Sequence, residues 1–156
     1  MKKNLIMLSI AAASIFATTA HAQAQQTVAQ NKQYNGAQAT KTEYKAIYQM
    51  DQASPEIIKK TIRNINNLLN DPRLQGKVQV ELVAFSGGTE AFRKGSEYEE
   101  ALLALLKKGV IVAQCLNTLQ ERKIEKGELF DFLAYVPTGN GELLIRANEG
   151  WTIIKP

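Results

Sequence analysis

Reading the chain for alternation of apolar and polar positions, the first segment that suits a strand is Tyr44-Lys45-Ala46-Ile47-Tyr48-Gln49-Met50. Ser54-Pro55-Glu56 then predicts a helix start, with Ser54 as N-cap, Pro55 at the first helical position and Glu56 facing the helix dipole. Ile58, Ile62, Ile65 and Leu69 share one face of that helix, and Asn70-Asp71-Pro72 stops it. Val78 to Phe85 predicts a second strand, closed by the loop Ser86-Gly87-Gly88. Ser96-Glu97-Tyr98-Glu99 has the form of a capping box and opens a helix carrying Leu102, Leu103, Leu105 and Leu106. Lys107 and Lys108 suit its last turn, and Gly109 suits a left-handed cap.

Val110 to Ala113 is a run of small or β-branched apolar residues with no polar face, which suits a strand buried on both sides. Cys115 falls where this strand ends and a short helix around Leu119 to Lys123 begins, with Asn117 or Thr118 as its cap. Leu133 to Val136 predicts a fourth strand. Pro137 to Gly141 then turns into a helix through Leu143, Leu144 and Ala147, ended by Gly150, and Trp151 to Ile154 predicts a last strand. Strand and helix alternate throughout, so the expected fold class is α/β: a three-layer α/β/α arrangement around a mostly parallel five-stranded sheet.

The residues before the first strand read differently. Lys2 and Lys3 precede an apolar stretch, Leu5 to Ala17, and Ala20-His21-Ala22 has the small-x-small form of a signal-peptidase site. Residues 1–22 are therefore expected to be a cleaved signal peptide, with a cut after Ala22 or Ala24, and the protein to be periplasmic or otherwise exported. The apolar stretch falls short of the roughly 20 residues that span a bilayer, so no membrane attachment is expected after cleavage. Residues 23–42 are rich in Gln, Ala and Asn and almost free of large apolar side chains, which reads as a flexible linker to a domain over 43–156.

Cleavage narrows the available chemistry. His21, the sole histidine, leaves with the signal. Lys2 and Lys3 leave too, so 17 of the 19 basic residues remain against 15 acidic ones, a net charge of +2. So slight an excess, with no basic run interleaved with aromatics, gives no expectation of nucleic acid as a partner. One cysteine and one methionine (Met50) remain as soft ligands, so neither a metal site nor another cofactor is expected. Without histidine no Ser/His/Asp set can form. A single cysteine in an exported chain has no internal disulfide partner, which leaves a buried thiol, an intermolecular bridge or a reactive group.

In a parallel α/β sheet, ligands and chemistry collect at the carboxyl ends of the strands. Cys115 is the candidate catalytic residue there, as a thiolate favoured by a helix N-terminus, with Arg122 and Lys123 adding positive charge if they turn back. The loops expected beside it supply the substrate-binding candidates Asp51, Ser86, Gly87, Asn117, Thr118, Thr138 and Gly139. Their glycines permit close backbone approach and can present N–H groups to an anion. The competing reading is a buried, inert thiol among ordinary turns.

Several dispersed segments resemble one family. The strand from Ile47 to Asp51, Glu81-Leu82-Val83-Ala84, Gly109-Val110, Cys115-Leu116-Asn117-Thr118-Leu119, Gly141-Glu142-Leu143 and the ending Glu149 to Pro156 are similar to the DsrE/DsrF-like sulfur-relay proteins. The resemblance covers about Glu43 to Pro156. It implies a compact α/β/α domain, a homo-oligomer of two, three or six subunits, and a cysteine, here Cys115, that carries sulfur as a persulfide and exchanges it with a protein donor or acceptor. Leu102 to Leu106 holds more leucine than one helix face needs, in keeping with a subunit contact. Two function classes stay open: sulfur transfer through Cys115, or a non-enzymatic oligomeric module that binds a small anion or a protein at the same edge.

Overall fold

The structure, a computed structural model, describes residues 26–156; the expected signal peptide and its cleavage site lie outside the described residues. The chain divides after Ala37 into two units. The first holds one short helix, α1 (Val28–Gln33), within the stretch read as a linker. Its start is a capping box that the sequence reading passed over: the Thr27 hydroxyl accepts from the Gln30 N–H, and the Gln30 side chain accepts from the Thr27 N–H at 2.9 Å. None of its residues is buried.

The second unit, Gln38–Pro156, is the α/β domain. It runs β1 (Tyr44–Met50), α2 (Pro55–Leu69), β2 (Val78–Ala84), a 3-10 segment (Ser86–Phe92), α3 (Glu99–Lys107), β3 (Ile111–Cys115), α4 (Leu116–Arg122), β4 (Ala134–Val136), α5 (Gly139–Asn148) and β5 (Thr152–Ile154). All five strands are parallel, in the order β4-β3-β2-β1-β5. That order decides where the helices go. The path β1 to β4 steps one way across the sheet, so right-handed crossovers place α2, α3 and α4 on one face. The return from β4 to β5 crosses the other way, which puts α5, alone among the described helices of this domain, on the opposite face.

The two cores are correspondingly unequal. Under α2, α3 and α4, Ile58, Ile62, Ile65, Leu102, Leu105 and Leu119 pack with Tyr48, Met50, Val80, Leu82 and Val112. Each such side chain contributes about 1.5–3 kcal/mol on burial. Under α5 the buried hydrophobic cluster is smaller, Ile47, Val83, Leu143 and Trp151, and Leu144 and Ile145 of α5 stand exposed. In α3, Leu102 and Leu105 are buried while Leu103 and Leu106 are half-buried.

Three local expectations are corrected. Ser96 does not cap α3: the helix starts at Glu99, its N-cap Tyr98 makes no side-chain cap bond, and the Ser96 hydroxyl donates to the Ala91 carbonyl at 2.8 Å. Ser86-Gly87-Gly88 is the first turn of the 3-10 segment rather than an open loop. The cap of α4 is neither Asn117 nor Thr118 but Cys115, because the helix already begins at Leu116. Gly109 takes the left-handed conformation expected of it, at φ 87°, and Gly150, expected as the end of α5, follows that helix at φ 82°.

Candidate functional site at the carboxyl edge of the sheet

Because every strand is parallel, the segments that follow β1, β2, β3 and β4 leave the sheet at one edge, and every candidate site residue lies along it. Cys115 ends β3, paired with Val136 of β4. Two-residue alternation puts its side chain on the face of Ala113 and of that residue's register partner Val83, the α5 side. As N-cap of α4, its Sγ accepts the Thr118 N–H at 3.4 Å, the place a serine or aspartate oxygen takes at most helix starts. The residue is only 4% exposed.

Two further contacts tie Cys115 to its surroundings. Gln114, fully buried on the other face of β3, donates from Nε2 to the Cys115 carbonyl at 2.9 Å and to the Thr89 hydroxyl at 3.0 Å. Among the described residues its Oε1 has no hydrogen-bond partner. Thr118 uses its hydroxyl to accept the Ser86 N–H at 3.0 Å. Among the described residues Ser86 is one of two non-glycine residues at positive φ, 48°, a conformation that costs such a residue about 1–2 kcal/mol and persists only where neighbours hold it. Arg122 is the second holder: one guanidinium nitrogen donates to the Ser86 carbonyl at 2.7 Å and another to Glu90, also at 2.7 Å. Arg122 thus does turn back toward the edge, but its charge is spent on Glu90. Lys123, at φ 54°, closes α4 in the left-handed region.

The remaining candidates take mixed positions. Gly87 lies against the backbone of the Asp51–Ala53 turn, where an added Cβ would come within 2.8 Å of the Ala53 nitrogen. Asp51 does not face the thiol through any hydrogen bond; its carboxylate accepts from Lys155 at 2.8 Å and from Gln49 at 3.1 Å. The Asn117 N–H donates to the Pro137 carbonyl at 3.1 Å, drawing α4 to the β4–α5 turn, while its side chain donates to Glu121. Thr138 caps α5 by accepting the Gly141 N–H, and Gly139 is packed so tightly on the Phe85 ring that a Cβ would lie 2.6 Å from it. Cys115, Thr118 and Ser86 therefore form one bonded chain, with Asn117 joining the Thr138 turn; Asp51 belongs to a separate pair with Lys155.

Gln114 and Thr89 were missed by the sequence reading. The signal available was a lone amide inside an otherwise apolar strand, Ile111-Val112-Ala113-Gln114-Cys115. Among the described residues no group of three His, Cys, Asp or Glu side chains could hold a metal ion, and no helix is long and apolar enough to cross a membrane.

The five-stranded parallel sheet with helices on both faces is a DsrE/YchN-like fold. Two solved structures carry that conclusion. The YchN protein of E. coli matches with a TM-score of 0.58 at 15% identity, over 73% of this chain and 99% of its own, a likeness of fold alone. A protein of unknown function from Methanobacterium thermoautotrophicum, MTH1491, matches with a TM-score of 0.69 at 30% identity, over 73% of this chain and 100% of its own. The chain belongs to the family of that protein. No model of a known protein family matches it, and no curated protein does.

Proposed function

We propose that this protein is an exported, homo-oligomeric sulfur carrier in which Cys115 holds a persulfide. The observation that supports the reading is the position of the lone cysteine: it caps α4 at the carboxyl edge of the sheet, with a backbone N–H on its sulfur. That N–H favours charge on whichever sulfur lies against it. Loading needs only a thiolate and a donor with a sulfane sulfur, a polysulfide or another protein's persulfide. The Cys115 thiolate attacks the outer sulfur, a new S–S bond forms, and the donor's S–S bond breaks with its electron pair leaving on the donor, now one sulfur shorter, as a thiolate or a shorter polysulfide. Neither histidine nor metal takes part.

The test is sulfur uptake. Polysulfide should add one sulfur to the intact mass of the wild-type protein, and Cys115→Ser should add none while folding normally. A native protein that takes up no sulfur and whose Cys115 resists iodoacetamide overturns the carrier reading. Export predicts a mature N-terminus at Gln23 or Gln25, and retention of Met1 overturns it. Light scattering that gives a strict monomer at tens of micromolar overturns the oligomer.

The burial of Cys115 favours a second reading, a non-enzymatic module. In that case the edge binds a small anion or a protein, and Leu144 and Ile145, at 65% and 56% exposure, supply the apolar contact. Wild-type protein with an unreactive thiol, and an oligomer dispersed by Leu144→Lys, is the result expected from this alternative.

A further inference from the structure

Glu81 stands apart from both readings. Among the described residues it is the carboxylate buried in the core, 1% exposed in the middle of β2. In register it lies between Ile47 of β1 and Ile111 of β3, neither of which offers it a hydrogen bond. The charged groups that act on it are Arg146 and Glu142 of α5 and Glu149, the C-cap of that helix; Lys45, on the same face of β1, is paired with Glu43 at 3.2 Å. Arg146 Nε donates to Glu81 at 2.8 Å and is shared with Glu142 at 3.0 Å, while Nη1 reaches Glu149 at 3.2 Å. The same guanidinium lies 4.4 Å over the ring of Trp151. One cation thus serves three carboxylates, and with all of them ionised the cluster carries two surplus negative charges, partly shut off from water.

We propose that Glu81 is a proton-dependent seat for α5: the helix packs tightest with a proton on Glu81, and ionisation of Glu81 as the pH rises loosens it. A buried charge is unfavourable unless fully compensated, and the one compensating group is divided among rivals. Burial pushes the Glu81 carboxyl up, opposed by Arg146 and reinforced by Glu142 and Glu149. The sign follows from linkage. A group that binds its proton more tightly in the folded state contributes stability that is present below its unfolded value and lost as the pH climbs through its folded value. Because the charges that act on Glu81 sit on α5 and its C-cap, and α5 is the one described helix of this domain on that face, the loss falls on its docking. The element affected bears the exposed Leu144 and Ile145 and begins at the Thr138 turn that Asn117 holds.

Glu81→Gln imitates the protonated form at every pH. As the pH is raised from the unfolded carboxylate value of about 4.3 upward, the urea midpoint of Glu81→Gln should gain on that of the wild type. Trp151, the only tryptophan, should change its emission with the same titration in the wild type and show no such change in the variant. Carboxyl NMR of Glu81 in the wild-type protein needs no variant to fold, and its midpoint should lie above the ordinary value of about 4.3. A midpoint at or below that value overturns the proposal, as does a Glu81→Gln protein that falls further behind the wild type as the pH rises.

Discussion

Thr118→Val replaces a hydroxyl by a methyl at nearly constant shape, and the site geometry says what should follow. The methyl cannot accept the Ser86 N–H, whose only partner is the Thr118 hydroxyl at 3.0 Å. Losing a net hydrogen bond costs about 1 kcal/mol, and stranding a buried donor costs about 1–3 kcal/mol. The Ser86 N–H is only part-buried, so the lower half of that range applies. Ser86 also keeps its left-handed backbone, at φ 48°, only because α4 holds it from both sides. With the Arg122 contact alone remaining, the turn relaxes rather than stay strained.

Valine and threonine are both β-branched, so helix propensity is almost unchanged. We expect Thr118→Val to lose about 1–2 kcal/mol. At a urea dependence of about 1–3 kcal/mol per molar, that lowers the midpoint by about 1 M. Amide exchange supplies the specific readout: Ser86 should be protected in the wild type and unprotected in Thr118→Val. Thr118→Ser loses a methyl, about 0.8 kcal/mol, but should keep Ser86 protected. A Thr118→Val protein with wild-type stability and an equally protected Ser86 would show that Thr118 does not hold this turn.

Gly88→Ala should be among the most damaging small changes, since its Cβ would lie 2.0 Å from the Met50 carbonyl oxygen, a backbone atom that cannot step aside. Overpacking of this kind costs about 1–3 kcal/mol or more, and an unchanged melting temperature would refute the close approach. Leu105→Ala removes a fully buried side chain from under α3 and should cost about 2–5 kcal/mol, whereas Leu103→Ala should cost clearly less; equal losses would contradict the assigned face. Asp71 is held down to about 2 chiefly by hydrogen bonds from Arg73, so its contribution is present above the usual carboxylate range and lost as the pH falls toward 2. The stability difference between wild type and Asp71→Asn should therefore shrink on acidification, and a difference that grows would refute the pairing.

What the sequence made legible is what local chemistry decides. Ser54, Pro55 and the isoleucine stripe Ile58, Ile62 and Ile65 define α2 because cap, first turn and buried face all lie within one short segment. Gly109 is readable for the same reason: a left-handed helix end needs no distant partner. The failures occur where a remote group competes. Ser96 looks like a cap, but the Ala91 carbonyl takes its hydroxyl. Asn117 and Thr118 look like caps for α4, but the helix already begins at Leu116, the Asn117 side chain donates to Glu121, and the Thr118 hydroxyl accepts the Ser86 N–H. Glu81 alternates with apolar neighbours, the usual mark of a solvent-facing strand position, and its partner lies 65 residues away. The uneven split of the helices, three on one face and one on the other, depends on strand order, which a single chain's periodicity does not carry.

The same distinction bears on function. Cys115 is fixed by groups that do not depend on its sulfur: the Gln114 amide on its carbonyl, the Asn117–Pro137 bond, and the Thr118–Ser86 bond. Any residue at that position would be held at the junction of β3 and α4 with its side chain toward the α5 face. The frame therefore positions a side chain without specifying its chemistry, and a likeness of frame to YchN carries no chemistry with it. The sulfur adds one feature of its own, the Thr118 N–H at 3.4 Å, and that feature serves a structural cap and a charged sulfur equally well. A cap needs only the hydrogen bond, whereas a carrier needs a path for the donor to a residue that is 4% exposed. Access to Cys115 is the property on which the two readings divide.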